Sequence, residues 1–95
     1  RAQSRDNSWA SRQNPNAYTI VLSEGRSAPS VARAVMKAPK KNRCATVKTF
    51  RSNAAYFQGV CGSFNSYSQA SKALESMPDN VRNKANVRAF SSVNR

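Results

Sequence analysis

Histidine is absent from the chain, and acidic side chains nearly so: Asp6, Glu24, Glu75 and Asp79 are the only four. Without imidazole, the commonest general base and the commonest metal ligand are both missing. Cysteine occurs twice, at Cys44 and Cys61, which is too few for a four-ligand zinc site. A cysteine nucleophile would lack its imidazole partner, although a nearby Lys can lower a thiol pKa. A glycosidase-type carboxylate pair would have to be drawn from Glu24, Glu75 and Asp79, which no local motif joins. These absences point away from an enzyme and imply neither a metal nor a cofactor. No apolar run approaches the roughly 20 residues of a membrane-spanning helix, and no signal-peptide core follows the basic start. The chain opens on Arg1, so it is expected to be a processed product or a piece of a longer protein.

Positive charge is what the chain has in excess. Sixteen Lys and Arg give a net charge of +12 over 95 residues, a length that suits one domain with one modest core. Such an excess favours an anionic partner, or keeps a small domain soluble. Residues 1–16 are rich in Ser, Asn, Gln and Arg, with Trp9 as the one large apolar group. Their burial would not offset their ordering entropy, so the segment reads as a flexible polar linker and residues 17–95 as the domain. Thirteen cationic and three anionic side chains remain in 17–95, so +10 belongs to the domain itself. The densest stretch is KAPKKNR, 37–43, read either as a solvated helix end or as a long-range attractor for an anionic envelope.

Hydrophobic periodicity supplies the elements. YTIVLS, 18–23, is β-branched and aromatic, bounded by the turn-like SEGRS, and reads as a strand. Ser27 then caps a helix with Pro29 in its first turn and Val31, Ala32, Val35 and Met36 as an apolar stripe, which Pro39 ends with Lys37, Lys40 and Lys41 nearby. CATVKTF, 44–50, and AYFQGVC, 55–61, are two strands joined by the polar turn RSNA, a connection too short for a parallel crossover. Ser66 and Gln69 form a capping box ahead of Ala70, Ala73, Leu74 and Met77 at helical spacing. Pro78 stops that helix, DNVRNKAN makes a short turn, and VRAFSSV, 87–93, is the last strand. The order βαββαβ predicts an α+β domain of ferredoxin-like or RNP-like type, a four-stranded antiparallel sheet with helices on one face and the other face open for function.

RNA-recognition modules share this order and stack bases on sheet-face aromatics. Their third strand carries K/R-G-F/Y-G/A-F-V-x-F/Y. AAYFQGVCGSF has no basic-Gly opening and only part of the aromatic alternation, so charge fits that class and motif does not. The chain resembles more closely the SPOR domain, the sporulation-related repeat that binds bacterial peptidoglycan, over roughly Ala17 to Val93. YTIVLS looks like its Y-x-hydrophobic-Q-hydrophobic-G/S opening, and YFQGVCGSFNSYSQASKAL like its strand, G-x-F/Y bend and S-x-x-x-A helix. LESMPDNVRNKANVRAFSSV, with Leu74, Met77-Pro78, Val81 and Val87-Arg88, is similar to the DamX-type ending.

The resemblance implies a non-catalytic, monomeric module in the periplasm. It would be the C-terminal domain of an inner-membrane division or envelope protein, held at the septum by glycan strands stripped of stem peptides. Division proteins or anionic envelope polymers are further partners, and DNA is not expected. In the family the sugar lies along the open sheet face, which strand alternation assigns here to Thr19, Val21 and Ser23, with Tyr56 and Gln58 from the third strand and Phe57 turned inward. Val21 stands where the family usually has a sugar-binding Gln. An envelope location would permit a disulfide. A two-residue turn between Arg51 and Ala54 sets Cys44 opposite Cys61, whereas a turn one residue longer separates them and leaves Lys48 outward beside Gln58 with Val47 inward. The second register has the better alternation, so free thiols are expected, with Cys61 in the core.

Overall fold

The computed structural model describes residues 8–37 and 43–93, with Asn80 and Ser92 described by backbone alone. A short helix α1 spans 8–12. It is followed by β1 (Tyr18–Gly25), α2 (Ala28–Lys37), β2 (Cys44–Arg51), β3 (Ala54–Phe64), α3 (Tyr67–Glu75), α4 (Asp79–Arg82) and β4 (Asn86–Ala89). The strands form one antiparallel sheet in the order β2-β3-β1-β4, so the expected α+β, βαββαβ architecture is present. Pro39, Lys40 and Lys41, expected at the end of α2, lie outside the described residues, as does most of KAPKKNR.

Local chemistry fixes the helix starts. The Ser66 hydroxyl accepts from the Gln69 backbone N–H at 3.2 Å, and the Gln69 side-chain Oε1 reaches back to accept from the Asn65 N–H at 3.1 Å, one residue earlier than in a regular capping box. The Ser27 hydroxyl accepts from the Ser30 N–H at 3.4 Å ahead of α2. Ile20, Leu22, Cys61, Met77 and Val81 form the core beneath α3 and α4, with Leu74 and Val87 packed against it. Helix α2 lies directly on β3: a Cβ on Gly59 would stand 2.6 Å from Val35 Cγ2 and 3.1 Å from Val31 Cγ1, so only glycine fits that approach. Met36, expected in the apolar stripe, is exposed.

Two bulges set which side chains face where. Tyr18 pairs with Phe64 but Ile20 with Cys61, an extra residue in β3 accommodated by Gly62 at φ 80°. Val21 pairs with Val60 but Ser23 with Gly59, an extra residue in β1. The last strand is shorter than expected: after Ala89 the chain turns into a 3-10 turn, Phe90–Ser92.

A second apolar cluster, Ala10, Val21, Ala45, Val47, Val60 and Val93 with Trp9 against it, fills the opposite sheet face. The segment 8–16, expected as part of a linker, therefore belongs to the domain. Its backbone is tied to the turn after β4, where Ser91 N–H donates to Pro15 O at 3.0 Å, beside the bond from Phe90 N–H to Ala17 O at 2.9 Å. The Trp9 ring meets the Phe90 ring edge-on at 5.7 Å, and Arg43 stands over the indole at 5.3 Å. Polar composition concealed this because two residues, Trp9 and Ala10, carry the segment's part in the apolar cluster.

The hairpin register also differs from expectation. Ser52 and Asn53 take φ of 54° and 65°, the backbone of a two-residue turn whose twist matches the flanking strands. Val47 thus pairs with Gln58, and Cys44 with Cys61, to which it is disulfide-bonded. Gly62 N–H donates to Arg43 O at 2.8 Å, so Cys44 and Cys61 occupy the adjoining non-hydrogen-bonded pair, where side chains approach most closely. The register with better polar alternation loses because both faces of this sheet are packed. Val47 gains burial under α1 where a single-core reading would leave it in water.

Candidate functional site

The five residues assigned to a glycan face do not form one surface. Thr19 is wholly buried and its hydroxyl donates to Cys61 O at 3.0 Å. Val21 lies in the apolar cluster under α1. Ser23 is turned to the helix side by the bulge in β1, where it pairs with Gly59 and lines a cavity against α2. Gln58 is on the expected face but fully buried. Tyr56 alone is partly accessible on that face.

What the structure gathers around Tyr56 is a charged end of the sheet beyond the part that α1 covers. The guanidinium of Arg51 stands 4.4 Å from the Tyr56 ring centre and that of Arg26 5.5 Å away. Arg26 Nη1 also donates to Ala54 O and Ala55 O at 3.3 and 3.2 Å, fixing the start of β3 against the end of β1. One row further in, Glu24 takes the place on this face that Ser23 vacates and pairs with Gln58. Gln58 Nε2 donates to Glu24 Oε1 at 3.4 Å, and Arg88 Nη2 reaches Glu24 Oε2 at 3.2 Å from β4. The carboxylate is one-quarter exposed, so it is held rather than sequestered.

This constellation offers an aromatic ring with two guanidinium groups over it and an oriented, partly exposed carboxylate behind it. It can stack a planar or ring-shaped group and hydrogen-bond its substituents. Arg51 was legible in principle: with a two-residue turn it is the diagonal neighbour of Tyr56 on the same face. Glu24 was not, because the bulge that turns it toward Gln58 leaves no local sequence signal. Arg88 depends on Glu24 and was hidden with it.

The fold and site define a small, disulfide-bonded α+β domain of ferredoxin-like topology with an arginine-flanked aromatic on its sheet. No protein-family model, curated protein or solved structure matches the chain.

Proposed function

We propose that the domain is a non-catalytic module that binds denuded glycan strands of septal peptidoglycan, thereby holding a larger envelope or cell-division protein at the septum from the periplasmic side. The observation that carries this reading is Tyr56, an accessible ring on the sheet face opposite α2 and α3, bordered by the donors of Arg26 and Arg51 and the held carboxylate of Glu24. N-acetylated sugars present flat apolar ring faces rimmed by hydroxyls and amides, which such a surface complements. The Cys44–Cys61 disulfide is compatible with an extracytoplasmic location, since oxidising compartments preserve such bonds. No helix among the described residues is long and apolar enough to cross a membrane, so any anchoring would fall to other parts of a host protein.

The two arginines beside Tyr56 favour a second reading, an RNA-binding module in which bases stack on the ring and phosphates meet the guanidinium groups. Retention on amidase-treated sacculi, on untreated sacculi and on single-stranded RNA separates the two. Glycan binding predicts selective retention on treated sacculi. Tyr56→Ala is then expected to weaken that retention roughly fivefold to tenfold, the value of one stacking platform, with an unchanged melting temperature. Equal retention on both sacculi, or tighter binding to RNA, would sink the proposal.

A further inference from the structure

A cavity lies on the opposite side of the sheet, beside α2. Its volume is about 280 Å³, and it is lined by Leu22 and Ser23 of β1, by Ser30, Arg33, Ala34 and Lys37 of α2, and by Val81 and Lys84 at the end of α4. The four α2 residues follow the i, i+3, i+4, i+7 spacing of a single helix stripe, displaced from the stripe that buries Val31 against β3. Ser23 joins them only because the β1 bulge turns it to this side. The walls therefore carry three cations and two hydroxyls over a floor of Leu22, Ala34 and Val81.

Among the described residues, no carboxylate lines the cavity. Of the three described acids, Asp79 is engaged by Arg82, Glu24 is held by Arg88 on the other sheet face, and Glu75, at the end of α3, is not among the lining residues. Arg33 Nη2 lies 3.4 Å from the Ser30 hydroxyl, which orients the guanidinium along the rim. Three exposed cationic residues lining one cavity, with no carboxylate among its described lining, attract a multiply charged anion, and hydroxyls can complete the coordination of its oxygens. The volume stands near the lower end for small-molecule sites, room for a phosphate with a body about the size of one sugar.

We infer that this cavity binds a phosphomonoester carried on a small polar body, with Arg33, Lys37 and Lys84 on the phosphate, Ser23 and Ser30 as hydroxyl partners, and Leu22, Ala34 and Val81 beneath the body. It does not rest on the glycan reading, whose residues lie on the other face. Amide NMR titration of the disulfide-bonded protein at physiological salt tests it, with glucose 6-phosphate, inorganic phosphate and glucose as the three probes. Glucose 6-phosphate is expected to shift the amides of Ser23, Ser30, Ala34 and Lys84 saturably, inorganic phosphate to do so more weakly, and glucose not at all. Arg33→Gln and Lys84→Gln, both surface changes, are each expected to weaken glucose 6-phosphate about tenfold, the scale of one charge-assisted hydrogen bond, while Lys72→Gln on α3 leaves it unchanged. Sacculus retention of Arg33→Gln is expected to equal that of the parent chain, so the two sites fail independently. Shifts reproduced by sodium chloride at equal ionic strength, shifts spread over Arg26 and Arg51, or equal weakening by Lys72→Gln would overturn the site in favour of diffuse charge. Silence toward glucose 6-phosphate together with Arg33-dependent capture by phosphatidylglycerol vesicles would overturn it in favour of a membrane-reading surface.

Discussion

Gln58 carries an amide that solvent does not reach, although strand alternation places it on the face expected to be open. Its neighbour across the hairpin is Val47, and its Nε2 donates to Glu24. A buried amide of this kind contributes stability through a hydrogen bond and through the volume it fills, and its removal leaves Arg88 as the remaining partner of the Glu24 carboxylate. Gln58→Ala is therefore expected to lower the unfolding free energy by about 1–3 kcal/mol, read from the midpoint of a urea transition. An unchanged midpoint with reduced sacculus retention would return Gln58 to the binding surface. Ser23 shows the reverse case, a residue of the right chemistry on the wrong side, because one extra residue in β1 inverts every face assignment after it.

The β2–β3 hairpin is the element on which most of the register depends. Its Ser52-Asn53 turn holds two non-glycine residues at positive φ, tolerable because short polar side chains enter that region at modest cost. In exchange β2 pairs with β3 over its full length, from Arg51 with Ala54 to Cys44 with Cys61. The disulfide closes the open end of this hairpin across a separation of 17 residues. Constraining a loop of that size in the unfolded chain stabilises the folded state by about 3 kcal/mol. Cys44→Ala together with Cys61→Ala is expected to lose about that amount in a denaturant titration, and the unreduced parent chain should have an intact mass two hydrogens below the thiol form. A mass matching two free thiols, or a double variant as stable as its parent, would contradict the paired cysteines.

At the scale of the whole molecule, the sheet is packed on both faces, unequally. The side under α2, α3 and α4 holds Ile20, Leu22, Cys61, Met77 and Val81, and the other holds Val21, Ala45, Val47 and Val60 beneath α1 and Val93. Without the cover the second cluster would meet water, at about 25 cal/mol per Å² of apolar surface. A chain beginning at Ala17 is therefore expected to melt several degrees below the full chain and to expose enough apolar surface to bind a hydrophobic dye. Equal melting temperatures would mean that α1 contributes no net stability. The cover stops short of Tyr56, so the same arrangement that closes one part of the face leaves the other, charged part accessible.

The order of elements, the Ser66–Gln69 cap, the apolar residues of α3 and the assignment of Ile20 and Leu22 to the helix side were legible in the chain alone. Each depends on neighbours within a few residues, where periodicity and hydrogen-bond geometry act. Tyr56 was legible for the same reason, being two residues inside a regular strand. The disulfide, the burial of Gln58 and Thr19, the inversion of Ser23 and Glu24, and the docking of Trp9 and Ala10 were decided by tertiary structure. Each depends on what lies across the sheet or beneath it. Alternation along a strand specifies a face, but only the packed molecule specifies what covers that face, and here a short helix preceding β1 covers part of it.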